Sequence, residues 1–343
     1  MISSSLPRED GCIVDHIYKY QGFWYMEGYL DGLLAFQKQF KANDTDILLA
    51  STPKSGTTWL IALAFAIINR QRYCFTTSED NQKHPLLTKS PHELVPVLED
   101  VYALVKDDHD QCQGTDLVTT ASNPDGKDHF ERRMFVTHLP YTALPESIKD
   151  VESSKCKIIY VCRDPKDNLI SLWHFINRLR PNRNLEPISL EVLFERYCKG
   201  IVTYGPIWDH VLGYWKQSLE RPEKVCFMKY EEMKREPKFH LRKLAEFMGH
   251  PFSMEEEKRG VVDDIVRLCS FDNLNELNKQ GEVVRLLSFE NMNKTRKNLL
   301  SINKNSWFRR GQVGDYANYL TPEMIECLDK ITEEKLHGSG LQL

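Results

Sequence analysis

The chain has little that would mark it for export, for a membrane or for a metal. Its 343 residues contain no Cys-x-x-Cys pair, and the nine cysteines (12, 74, 112, 156, 162, 198, 226, 269 and 327) are scattered and odd in number. Neither a zinc site nor a disulfide framework is indicated, so the expected compartment is a reducing one, the cytosol. The sequons that begin at Asn43 and Asn293 then carry no weight, because without export they would not meet the glycosylation machinery. Met1 to Asp10 lacks the basic start and apolar stretch of a secretory signal. The longest apolar run, Trp59 to Ile68, is too short to span a bilayer, and no membrane partner is expected. There is no excess of positive charge either: a net charge of −4 argues against a dedicated nucleic-acid binder. Repeats and low-complexity tracts are absent. The chain reads as one domain, 1–343, long enough to bury a sizeable core.

What is present alternates. Four short apolar, β-branched segments read as buried strands: Ile47 to Ser51, Met134 to Thr137, Lys157 to Cys162 and Val225 to Met228. Helical patterns lie between them. Leu60, Leu63, Ala64, Ile67 and Ile68 form one apolar stripe, and Leu169, Leu172, Trp173, Ile176 and Leu179 form another after an Asp164-Pro165 start. The expected fold class is therefore α/β, a central and mainly parallel sheet flanked by helices. The polar stretch 106–133, with its Asn123-Pro124-Asp125-Gly126 cluster, reads as a surface insertion. The segment 279–316 is the one basic tract: between Lys279 and Arg310, eight Lys/Arg face two Glu. Thr321 before Pro322 caps a closing helix.

Four constellations carry chemistry. Thr52-Pro53-Lys54-Ser55-Gly56-Thr57-Thr58-Trp59 joins a strand to a helix, the context of a phosphate cradle. Backbone N–H groups at a helix start favour an anion, Gly56 lets the backbone approach closely, and Ser55, Thr57 and Thr58 can add hydroxyl donors. Lys54 precedes the glycine, unlike the usual triphosphate loop, and so would sit beside the bridging oxygen of a bound phosphate. A capped helix start with a solvated lysine is the plainer alternative. Arg163 ends another predicted strand, ahead of a helix that carries Ser171, and offers a fork for a second phosphate or, equally, a partner for Asp164 or Asp167. His138, at the end of a third strand, can take the proton of an attacking hydroxyl, although a lone histidine is more often structural. Arg309-Arg310-Gly311 is either a compact anion clamp or a solvated basic loop.

Taken in order, Pro53 to Trp59, Thr137-His138-Leu139-Pro140, Cys162 to Asp167 with Ser171 to Phe175, and Arg309-Arg310-Gly311 with Gly314-Asp315 resemble the cytosolic sulfotransferase family over nearly the whole chain. His84 to Leu87, Pro91 to Pro96 and Leu268 to Phe271 look more like plant members. The resemblance implies a strand-loop-helix similar to that of P-loop nucleotide kinases. The implied donor is 3′-phosphoadenylyl sulfate (PAPS), with adenosine 3′,5′-bisphosphate (PAP) as product and no metal. It further implies a donor held at its 5′-phosphate by Lys54, Ser55, Gly56, Thr57 and Thr58, and at its 3′-phosphate by Arg163, Ser171, Arg309, Arg310 and Gly311. Trp59, Tyr230 and Phe271 match positions on or near adenine, with Ser270 among the donor contacts. By the same likeness His138 is the base, Lys54 stabilises the leaving group, and Ser171 restrains that lysine.

Three departures stand out. Val136 occupies a position where many members carry a second lysine, Arg309-Arg310-Gly311 replaces Arg-Lys-Gly, and the animal dimer motif fails, leaving a monomer or weak homodimer as the expectation. The implied acceptor is a small hydroxylated molecule of the flavonoid, steroid-like hormone, hydroxyjasmonate or desulfoglucosinolate class. Aromatics at Tyr18, Tyr20, Phe23, Trp24 and Tyr25 and in Tyr204 to Trp208 are candidates for its pocket, most of them expected in the core. A small-metabolite kinase would need a lysine after the glycines and a magnesium-binding set, and a non-catalytic phosphonucleotide-binding module would leave His138 idle.

Overall fold

A computed structural model describes residues 5–73, 84–103, 133–150, 154–279, 284–285, 301–302 and 308–343. All but Arg133 of the polar stretch 106–133 and much of the basic tract 279–316 fall outside these residues. Three strands near the N-terminus, β1 (Arg8–Asp10), β2 (His16–Tyr20) and β3 (Phe23–Met26), form an antiparallel sheet that the sequence reading did not anticipate. Four further strands, β4 (Ile47–Ser51), β5 (Met134–Thr137), β6 (Lys157–Cys162) and β7 (Val225–Lys229), lie in the order β5-β4-β6-β7, all parallel. They match the four expected strands, the last running one residue further.

The parallel sheet is apolar on both faces, as strands covered by helices on each side must be. Leu48, Ala50, Phe135, Ile158 and Tyr160 face one hydrophobic cluster, while Ile47, Leu49, Met134, Val136 and Ile159 face the other. This period of two fixes the register, because a one-residue slip would exchange the faces. Each such fully buried aliphatic side chain contributes roughly 1.5–3 kcal/mol of transfer free energy. Val136 is fully buried within the second cluster and so belongs to the core.

The helix Thr57–Asn69 departs from the single stripe expected of it. Leu60, Ile61, Ala62, Leu63, Ala64, Phe65, Ala66 and Ile67 are all buried, because Pro91–Leu94, Pro237–Phe247 and Val261–Leu268 pack around it as well as the sheet. Periodicity marks one wet face only when one exists. The helix Pro165–Leu179 behaves as read, with the Asp164 side chain accepting from Lys166 N at 2.8 Å. Thr321 caps Pro322–Leu336 through Met324 N. Among the described residues no helix is long and apolar enough to cross a membrane.

Parallel strands place their C-terminal ends at one edge. Thr52 follows β4, His138 follows β5, Arg163 follows β6 and Tyr230 follows β7, so four segments distant in sequence converge there. Open α/β sheets gather their ligands at this edge.

Candidate active site

A cleft of about 500 Å³ opens at that edge, lined by Lys54, Thr58, His138, Arg163, Ser171 and Arg309 among others. Its first wall is the turn after β4. Two residues on either side of Ser55 bend the chain: Lys54 has φ +68 and Gly56 has φ +104. At Gly56 a Cβ would stand 2.6 Å from Tyr230 Cδ2, so the position requires glycine both for its dihedral and for the ring beside it. Polar groups inside the turn hold its shape. Thr52 and Ser55 hydroxyls meet at 2.6 Å, Ser51 and Thr57 hydroxyls at 2.7 Å, and Asn168 Nδ2 donates to Pro53 O at 2.8 Å and to Ser55 Oγ at 3.1 Å. Tyr197 in turn donates to Asn168 Oδ1. Ser55 is fully buried, and Thr58 shares a hydrogen bond of 3.0 Å with His92 Nε2. The hydroxyls expected to serve a phosphate are thus also ties within the turn and to its neighbours.

Lys54 projects its ammonium over the Phe175 ring at 4.4 Å, one helical turn beyond Ser171. Burial, reinforced by Arg178, Arg163 and Arg309, pushes its pKa down to about 7. Four cations around one cleft is a costly arrangement that an anion would relieve.

Arg163 is buried. Its guanidinium donates to Gln312 O at 2.9 Å and Lys54 O at 3.3 Å, lies over the Tyr230 ring at 4.9 Å, and stands 3.7 Å from Asp167. The pairing with Asp167 weighed from sequence is present, and Arg163 also lines the cleft. Asp167, itself fully buried, accepts from Gly314 N and Tyr316 N, which ties the segment 308–316 to the same helix. Within that segment Arg309 and Arg310 both reach the buried Asp315, Arg310 at 2.8 Å. Arg178 adds a bond of 2.6 Å to Phe308 O.

An aromatic slot adjoins these arginines. Trp59 meets Tyr230 edge to face at 5.7 Å, Phe271 meets Phe308 likewise at 5.6 Å, and Tyr230 donates to Gly311 O at 3.2 Å. At Gly311, where φ is +62, a Cβ would come 2.4 Å from Phe271 Cδ2. Ser270 lines the cleft beside Phe271, and its hydroxyl accepts from Asn273 N.

His138 is held at three points. Its main-chain N–H donates to Glu99 Oε1, its carbonyl accepts from His210 Nε2 at 3.0 Å, and its Nδ1 lies 2.8 Å from Ser51 O. A carbonyl can only accept, so Nδ1 carries the proton and Nε2 of the neutral ring is left with its lone pair. The same logic puts the His210 proton on Nε2 and makes its Nδ1 the acceptor for Tyr160 Oη at 2.9 Å. Burial lowers the His138 pKa to about 4, with the Ser51 carbonyl opposing and the Lys54 charge adding to it. The ring is neutral through the physiological range. Glu99 is pushed up to about 8, chiefly by burial, with the His138 N–H opposing.

The acceptor-pocket expectation needs correction. Tyr18, Tyr20, Phe23, Trp24 and Tyr25 build the N-terminal sheet and do not line the cleft, and of Tyr204 to Trp208 only Tyr204 does. Ile17, Met26 and Tyr29, which the reading passed over, do line it. Alternation within short strands sends neighbours to opposite faces, which a cluster of aromatics in sequence conceals. Glu99 and His210 were also missed, since each acts through one contact made across long sequence separation.

Comparisons with known proteins give the family of the chain. A family model, the sulfotransferase domain, matches residues 44–340. Cytosolic sulfotransferase 8 of Arabidopsis thaliana is 45% identical, covering 99% of this chain and 91% of that protein, and cytosolic sulfotransferase 5 is 44% identical, covering 99% and 94%. A solved Arabidopsis thaliana protein assigned as a steroid sulphotransferase superposes with a TM-score of 0.68 at 36% identity, covering 100% of this chain and 94% of that one. Mouse sulfotransferase SULT7A1, solved in complex with PAP, gives a TM-score of 0.63 at 27% identity over 94% of this chain and 95% of that one. With that agreement across nearly its full length, the chain belongs to the sulfotransferase family and is a PAPS-dependent enzyme of the kind represented by the plant cytosolic sulfotransferases.

Proposed function

We propose that the cleft transfers the sulfuryl group of PAPS in line to a hydroxyl of a small, largely apolar acceptor, with His138 as general base and Lys54 at the leaving group. The observation that carries this reading is the fixed tautomer of His138: with Nδ1 spent on Ser51 O, a neutral Nε2 is the one ring atom able to take a proton, and His138 lines the same cleft as Lys54. As the acceptor oxygen bonds to sulfur its proton passes to Nε2. The bond from sulfur to the bridging oxygen breaks, and charge grows on the 5′-phosphate of PAP. A lysine at the mouth of a helix start supports that charge, and the transfer asks mainly for positioning and neutralisation.

In this reading the turn from Lys54 to Thr58 receives the 5′-phosphate. Arg163, Ser171, Arg309, Arg310 and Gly311 receive the 3′-phosphate, and adenine enters the slot of Trp59, Tyr230, Ser270 and Phe271. The apolar walls suit a small hydroxylated acceptor, the chain is read as one domain, and the reaction is placed in the cytosol. Purified protein given labelled PAPS and a panel of phenols, steroids and jasmonates, with a chelator and no added Mg²⁺, is expected to label at least one acceptor. No label across the panel, together with no thermal stabilisation by PAP, would overturn the proposal. A phosphonucleotide-binding module without catalysis would instead show PAP stabilisation that His138→Ala leaves unchanged and no turnover in either form.

A further inference from the structure

One wall of the cleft contains a buried carboxyl that the transfer chemistry does not use. Asp100 sits beside Glu99 in the helix Leu98–Tyr102, is 5% exposed, and lines the cleft. Its Oδ1 accepts from the Tyr29 hydroxyl at 2.7 Å. Among the described residues that is its one hydrogen bond, and no ion pair reaches it. Ile17, Met26 and Val202 make the neighbouring lining apolar. A carboxyl in such a place carries a desolvation penalty that a single neutral hydrogen bond does not offset. Burial accordingly pushes its pKa up to about 7. Holding Tyr29 in place would not by itself call for an ionisable group, since an amide oxygen accepts the same bond.

We infer that Asp100 selects the acceptor: the molecule that enters carries, besides the hydroxyl to be sulfated, a second hydroxyl that donates to the Asp100 carboxyl. A hydroxyl fits better than an ammonium for two reasons. The cleft is already cationic, with Arg183 lining it alongside Lys54, Arg163 and Arg309, and a further cation would be repelled. A hydroxyl can also pair with the carboxyl in either protonation state, because it both donates and accepts, whereas an ammonium serves only the ionised form. The donor end keeps its own anion-binding set, so the second hydroxyl acts on acceptor binding and not on PAPS.

The inference rests on the transferase reading above, and the experiment separates the two. Acceptors are compared in matched triads on phenolic and steroid-like skeletons, each with a distal hydroxyl, the same hydroxyl methylated, or hydrogen in its place, at saturating PAPS. Wild-type protein is expected to favour the diol in kcat/KM by about 10- to 100-fold on at least one skeleton, mainly through KM, as a site built to bond a hydroxyl rejects its absence. Asp100→Asn keeps an oxygen for Tyr29 but offers an N–H where the carboxyl accepted, and is expected to move the diol-to-methoxy ratio at least about tenfold toward the methoxy compound. A ratio near one for wild type on every skeleton overturns the inference while leaving the transferase reading standing. So does an equal loss on all three members of each triad in Asp100→Asn, accompanied by a lowered melting temperature, which would make Asp100 a support for Tyr29 alone. No turnover anywhere, with no thermal shift by PAP, overturns both.

Discussion

The two ends of the cleft are built by different means. At the proposed donor end, the turn Thr52 to Thr58 and the segment from Arg309 to Asp315 are short contiguous stretches whose shape lies in the backbone: positive φ at Lys54, Gly56, Gly311 and Gly314, with hydroxyls and carboxylates closing the turns. At the proposed acceptor end, His138, Glu99, Asp100, Tyr29, Tyr204 and His210 come from five places in the chain and are placed by contacts between segments distant in sequence. The donor end behaves as a prefabricated part, the acceptor end as an assembly. A prefabricated anion site is reusable whatever molecule is sulfated, while an assembled pocket can change one wall without disturbing the others. The contrast predicts that damage at each end stays at that end.

The largest expected effect tests this at the acceptor end. His138→Ala is expected to lower kcat by about 10³-fold, within the range typical of general-base removal, while PAP affinity by calorimetry changes by less than about twofold. A parallel loss of PAP binding would break the separation of the two ends. In wild type, protonation of the His138 ring itself should cost kcat only as the pH falls toward its value of about 4, because the ring stays neutral and competent above it. At the donor end Gly56→Ala does the reverse. The added Cβ meets the Tyr230 ring at 2.6 Å in a backbone region that costs roughly 1–3 kcal/mol for other residues, so PAP affinity should fall about 10- to 100-fold. Turnover at saturating donor should change far less.

The same contrast accounts for what could be read without coordinates. The four parallel strands were legible because burial on both faces leaves short continuous apolar runs, as in Ile47 to Ala50. Lys54, Arg163 and Arg309-Arg310 could be picked out as cleft residues because a strand-loop-helix turn and adjacent arginines are local patterns. Asp167 stood within a recognised motif, yet its role of pinning Gly314 and Tyr316 could not be seen, since the pairing spans the fold. Glu99 and His210 have no local signature at all: a carboxylate on a main-chain N–H and an imidazole on a main-chain carbonyl leave no spacing rule behind. The N-terminal sheet failed for another reason. Its strands are three to five residues long, too short for alternation to register, and the aromatics that crowd them point to both faces.

A smaller effect sharpens the account of the donor end. Lys54, lowered to about 7 by burial and by Arg178, Arg163 and Arg309, is largely neutral in the donor-free protein at pH 8. A bound phosphate restores the opposite charge and raises that pKa, so binding draws in a proton. The affinity gained from the protonated lysine is present below the donor-free pKa and is lost as pH rises above it. PAP affinity should accordingly fall by up to about tenfold per pH unit above 7, with close to one proton taken up per PAP at pH 8. Calorimetry in buffers of differing ionisation enthalpy measures both. Lys54→Met should abolish the uptake, and an unchanged proton count would place the titration elsewhere.

The smallest effect concerns how the base is held. Glu99 is largely protonated at pH 7, being raised to about 8, so glutamine reproduces its shape, its neutrality and the oxygen that accepts the His138 N–H. Glu99→Gln should therefore keep kcat within about twofold of wild type at pH 7, whereas Glu99→Ala, which releases that main-chain N–H, should lose about tenfold, a cost in line with modest misplacement of a reacting group. Between pH 7 and 9 the wild-type carboxyl ionises beside the base and favours the imidazolium that forms as the proton arrives. At saturating PAPS, where the donor keeps Lys54 charged, kcat should rise across that interval in wild type and stay flat in Glu99→Gln. If alanine and glutamine behave alike, Glu99 does not position His138, and the acceptor end would rest on Ser51 and His210 alone.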